Sequence, residues 1–232
     1  MGRVDTYRAE LRGLERSQWA DYLTEHSGLP GPRGNIELAQ ALAEEADSAA
    51  LEALVATDDE YLVFCGVVGL GRLLAEGAGA EVEQRLHGFA ADERWRVREA
   101  VAMALQRLGD SDGSRMLRIV SKWADDASPL VQRAAIAGVC EPRLLKTPEA
   151  TATAIDVCER VTAALVARPA TERRSPEVRA LRKGLGYCWS VAVAADPARG
   201  LPRFRVLSES PDHDVAWIVR ENSKKSRLSR LL

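Results

Sequence analysis

Apolar side chains recur at a helical period along almost the whole chain. In residues 92–110, DERWRVREAVAMALQRLGD, Val97, Val101, Ala104, Leu105 and Leu108 fall at i, i+4, i+7, i+8 and i+11 and share one helix face. Asp92 suits the N-cap of that helix and Gly109 its stop. The design returns in SPLVQRAAIAGVCE, where Pro129 suits a first-turn position and Val131, Ala134, Ala135, Gly138 and Val139 form the buried stripe. SPEVRALRKGLGYCW sets Val178, Leu181, Leu185 and Trp189 in register, and DHDVAWIVRENSKK does the same with Val215, Ile218, Val219 and Asn222. An earlier copy, DDEYLVFCGVVGLGRLL, is anchored on Val63, Val67 and Leu70. No stretch sustains a period-two alternation bounded by hairpin signals, so the prediction is all-α.

The anchoring valines are 34 (63 to 97), 34 (97 to 131), 47 (131 to 178) and 37 (178 to 215) residues apart. One helix pair cannot bury its apolar face alone, so a pattern repeating at this period predicts pairs stacked into a solenoid. The unit D-x-x-x-x-V-R-x-A-V-A-x-A-L of residues 92–105 resembles a HEAT repeat, and the resemblance spans residues 58–225. It implies a right-handed α-α solenoid of HEAT-like repeats. A single domain over 1–232 is expected, with capping helices and a Gly/Pro loop in 1–57, repeats in 58–225 and a basic tail in 226–232. The loop, SGLPGPRGN at residues 27–35, packs two prolines and three glycines ahead of a helix capped by Asn35. ARPATERRSPE, residues 167–177, is a polar connection that accounts for the 47-residue interval.

Charge changes the picture more than composition does. The chain has 232 residues and a formal net charge of −2. Residues 1–100 carry 10 basic against 19 acidic side chains, and residues 101–232 carry 22 against 15. The C-terminal part therefore suits a polyanion, although charges paired within the fold would give the same count. Cys65, Cys140, Cys158 and Cys188 form no CxxC pair, which argues against a zinc site or disulfide framework and suits a reducing cytoplasm. His26, His87 and His213 are scattered, so no metal site is expected. No run of 18 apolar residues and no secretory signal is present, which predicts no membrane partner.

No Walker loop, GxSxG elbow or HExxH appears, and no cofactor is expected. The loop around Arg33 precedes a helix N-terminus that could hold an anion, but its spacing matches no phosphate motif and a plain turn is the better reading. Arg98 and Arg179 follow the repeat valines and are expected to pair with turn aspartates such as Asp92 or Asp125. Trp95 and Glu99 lie one helical turn apart, away from the Val97–Val101–Leu105 stripe. A tryptophan held off the core beside a carboxylate can bind a cation. Trp217, Arg220 and Lys224 share a face opposite Val215 and Val219, the interleaving a nucleic-acid groove uses. Both tryptophans could equally wedge between neighbouring helices. Trp189 reads as core.

A helical solenoid with tryptophan and carboxylate one turn apart is similar to the AlkD-like DNA alkylation repair glycosylases, built from HEAT-like repeats. That resemblance implies Trp95 as an aromatic wall, Glu99 as the carboxylate and Trp217 as a second aromatic. The carboxylate is Glu rather than Asp, and a W-W-D-x-x-D run is absent. The first expectation is a non-catalytic module that binds a protein or nucleic-acid partner on its concave face. Arg133, Lys183, Arg220 and Lys224 are the candidate contacts. The alternative is an AlkD-like protein on duplex DNA that removes cationic alkylated bases.

Overall fold

The computed structural model describes residues 2–232, which form fourteen α-helices with no strand among them. They fall into two compact units, Met1–Leu108 and Gly109–Leu232.

The first unit holds α1 (Arg3–Arg12), α2 (Trp19–Glu25), α3 (Ile36–Glu45), α4 (Ser48–Val55), α5 (Glu60–Ala75), α6 (Ala80–Phe89) and most of α7 (Trp95–Ser111). Asn35, Asp47 and Asp59 cap α3, α4 and α5, each side chain accepting from a first-turn backbone N–H. Helix α5 is apolar nearly all round and forms the centre of the unit, packed on α3, α4 and α6. Its Gly71 meets α7 so closely that a Cβ there would lie 2.5 Å from the Ala104 carbonyl oxygen. Arg72 extends from the same helix and donates to the Ala43 and Ala46 carbonyls at the C-terminal end of α3. The predicted stripe of α7 is buried in full. Its ends differ from expectation. Asp92 accepts from the Arg94 backbone and side chain, so the helix starts at Trp95, and it runs past Gly109 to Ser111.

The second unit holds α8 (Gly113–Trp123), α9 (Pro129–Val139), α10 (Pro148–Ala167), α11 (Pro176–Ala195), α12 (Pro197–Ser208), α13 (His213–Ser223) and α14 (Ser226–Ser229). Helices α9 to α12 each begin on proline after Ser128, Thr147, Ser175 and Asp196. Proline loses nothing at a position whose N–H has no intrahelical partner, and the preceding polar residue is a natural cap. The helices form two layers: α9, α11 and α13 pack side by side, with α8, α10 and α12 behind them. Between the layers Trp189 is fully buried and donates Nε1–H to Thr162 Oγ1 at 3.0 Å. Trp123, unplaced by the sequence, is buried at the end of α8. Residues 226–232 are not a plain tail, because α14 buries Leu228.

Candidate nucleic-acid interface

Helix α11 turns Val178, Leu181, Leu185 and Trp189 inward. The opposite stripe therefore carries Lys183 and Tyr187, one turn apart, to solvent. On one side of that stripe Gly184 meets Ile136 and Arg133 of α9, and on the other Gly186 meets Trp217 and Glu221 of α13. Arg133 is half-buried, while Lys183, Arg220 and Lys224 are exposed. The four predicted basic residues thus stand on one layer of one unit or at its end. Their acidic neighbour is Glu221, bonded to Lys224 at 2.7 Å with Arg220 at 3.8 Å. The hydrogen bond from Lys224, and then the nearby cations, hold the Glu221 carboxyl below its ordinary range.

Tyr187 is the residue that sequence reasoning missed. It is 43% exposed. Arg227 Nη2 donates to its hydroxyl at 3.0 Å, and the Arg227 guanidinium and Lys225 ammonium lie 5.1 and 5.6 Å from the ring centre. The signal was its spacing of four from Lys183, off the apolar stripe of its own helix.

Trp217 is half-buried and wedged against α11, as the core reading allowed. A Cβ on Gly186 would lie 2.7 Å from its Cζ3, so glycine makes room for the indole. The Arg182 guanidinium sits 4.7 Å from the ring centre and donates to Asp214 Oδ1 at 2.6 Å. Arg173 reaches Asp212 Oδ2 at 2.5 Å and Asp214 Oδ2 at 3.6 Å. Burial works to raise the Asp212 carboxyl pKa, but Arg173 and the two backbone N–H groups of the cap outweigh it and the net shift is downward. Asp212, His213 and Asp214 can bring three ligand atoms within 4.8 Å of one another. Two guanidiniums already take those carboxylates, so the donor set does not suit a cation.

Trp95 and Glu99 lie in the first unit. Trp95 is 47% exposed and Glu99 half-buried. The Arg96 guanidinium stands 4.5 Å from the Trp95 ring centre, donates to Glu60 Oε2 at 2.9 Å and to the Gly31 carbonyl at 3.1 Å. That last bond ties the Gly/Pro loop to the first turn of α7. Gly28, at φ 73°, supplies the left-handed turn, and Asn35 N–H closes the loop on the Ser27 carbonyl at 2.8 Å. Arg33 stays exposed.

Arginine–aspartate pairing is present, and at Asp92 it includes a neighbour the sequence did not single out. Arg94 takes the Asp92 carboxylate, whose pKa that hydrogen bond lowers, while Arg98 donates to the Asp92 and Glu93 backbone carbonyls. Asp125 pairs with Arg160 at 2.6 Å, and Arg179 is exposed. No helix among the described residues is long and apolar enough to cross a membrane.

No protein-family profile and no curated protein matches the chain. Among solved structures, AlkD2 from Streptococcus mutans is similar over 90% of this chain and 98% of that one, with a TM-score of 0.67 at 16% identity. A designed armadillo repeat protein, YIII(Dq)4CqI, aligns over 94% of this chain and 97% of its own at 17% identity and a TM-score of 0.39. The chain therefore shares the all-helical fold of AlkD2.

Proposed function

We propose that the chain is a non-catalytic interaction module whose α9–α11–α13 face takes duplex DNA. One observation carries this reading: Lys183 and Arg220 are exposed on helices of a single layer, and Lys224 is exposed at the C-terminal cap of α13. Of the acids nearby, Asp214 is engaged by Arg173 and Arg182, while Glu221 pairs with Lys224 of the face itself and offsets one of its charges. Cations on one rigid face suit the regular spacing of phosphates, and phosphate contacts supply affinity without reading sequence. The likeness to AlkD2 supports the fold on which such a face is built and says nothing of the partner.

The AlkD resemblance keeps base excision as the competing reading, with Trp95 and Glu99 facing a cationic base. Against it, the Trp95 ring already has a guanidinium 4.5 Å from its centre, anchored at Glu60 and Gly31. A cationic base would have to displace or share that contact. The test incubates the protein with duplex DNA carrying 7-methylguanine or 3-methyladenine, beside undamaged duplex. The expected result is equal retention of both duplexes with no base released. Enzyme-dependent release that Trp95→Ala abolishes would replace this reading with the glycosylase one.

A further inference from the structure

We propose that Tyr187 and the cations around it form a binding site for an unpaired nucleotide, so that the basic face also holds single-stranded DNA. This rests on the nucleic-acid reading above and goes beyond its duplex contacts. Tyr187 is an exposed aromatic on the layer that carries the cations, whereas Trp217 is wedged into α11. Its hydroxyl is held by Arg227 at 3.0 Å, which fixes the ring instead of leaving it to rotate away from a ligand. Lys183 stands one turn before it on α11, and Lys225 lies 5.6 Å from the ring centre. A ring fixed among cations is the pairing that single-strand binders use: a neutral base displaces the Lys225 ammonium, the farther of the two cations over the ring, and stacks on the aromatic face, while that ammonium and Lys183 meet the flanking phosphates. Bases inside a duplex are stacked on one another and present only their edges, so a paired base cannot use this platform.

The test measures fluorescence anisotropy of labelled oligothymidylate and of a blunt duplex at low salt, with the full chain as wild type, Tyr187→Ala and Tyr187→Phe. Loss of one stacked base is expected to weaken single-strand binding by about 5- to 150-fold in Tyr187→Ala. Tyr187→Phe keeps the ring and should stay within about threefold of wild type. Duplex affinity should be unchanged in both variants. Equal weakening of strand and duplex by Tyr187→Ala, or no effect on the strand, overturns this site and leaves the duplex reading intact. Failure of wild type to bind either oligonucleotide overturns both. Matching thermal melts show that each variant is folded.

Discussion

Asn222 links the two helices on which the proposed interface depends, and replacing its amide with a carboxylate gives a stability change of calculable sign. The residue is fully buried on α13. Its Nδ2 donates to the Leu185 and Ile218 carbonyls at 2.9 and 2.8 Å, and its Oδ1 accepts from Ser190 N–H at 2.8 Å. Asn222→Asp keeps the shape and the bond from Ser190, but sets a second carboxylate oxygen against two carbonyl oxygens. Protonated, that oxygen can still donate to one of them; ionised, it can donate to neither, and burial adds its own penalty. The folded-state pKa of the new group is therefore raised above its unfolded value of about 3.9. Stability relative to wild type is highest below that unfolded value and is lost as pH rises toward the folded one. Each pH unit in that interval costs about 1.4 kcal/mol, so between about pH 4.5 and 7.5 the variant should lose up to about 4 kcal/mol more than wild type. Asn222→Leu loses the same hydrogen bonds without a charge, and its penalty should not change with pH. The assay is urea denaturation of the three proteins at both pH values. An Asn222→Asp penalty as flat with pH as that of Asn222→Leu would refute the assigned burial and bonding.

Three further outcomes follow from the packing. Gly71→Ala gains about 1 kcal/mol of helix propensity but drives a methyl to 2.5 Å from the Ala104 carbonyl oxygen; overpacking of about 1–3 kcal/mol should prevail, and a higher urea midpoint than wild type would contradict the α5–α7 crossing. Val101 has no exposed surface, and Val101→Asp buries an unpaired carboxylate at a cost of several kcal/mol, so its cooperative thermal transition should vanish; a wild-type melting temperature would mean that the repeat register is wrong. Arg94 holds the Asp92 carboxyl low, so its stabilisation is present above about pH 4 and lost as pH falls through the depressed folded value. Asp92→Asn should be about 1 kcal/mol less stable than wild type near neutrality, with the gap closing in acid; a constant gap from acid to neutral pH would rule that pair out as its source.

Much of this fold was legible because its helices announce themselves locally. The stripe Val97–Val101–Leu105, the proline start at Pro129 and the cap at Asn35 depend on residues within one helix, and all stand where the sequence places them. What escaped depends on which helix lies next door. An ideal helix rightly turns Trp217 away from Val215 and Val219, but only the position of Gly186 on α11 tells that the ring is received there. Arg173 finds Asp212 across 39 residues, a pairing no local spacing signals, and Arg94, two residues from Asp92, takes a carboxylate the sequence reading assigned to Arg98 without naming Arg94. Tyr187 was hidden by its own chemistry, since a tyrosine three residues from Gly184 and two from Trp189 reads as part of an apolar run. Charge asymmetry pointed to the C-terminal part and the face shared with Trp217 to Arg220 and Lys224, while the layer they share with Lys183 emerged from helix order: alternate helices α9, α11 and α13 face the same way.

The central claim is that this layer neutralises phosphates, and its most direct measurement is the salt dependence of duplex binding. Anisotropy between about 50 and 200 mM salt should show affinity falling steeply, with a log–log slope near −3.6 for about four contacts. Lys183→Ala should make the slope shallower by about one unit without altering sequence preference. Arg118→Ala, an exposed cation on α8 in the opposite layer, should leave it unchanged. Duplex binding whose slope responds to Arg118 and not to Lys183, or no duplex binding at the low-salt end, would contradict the account.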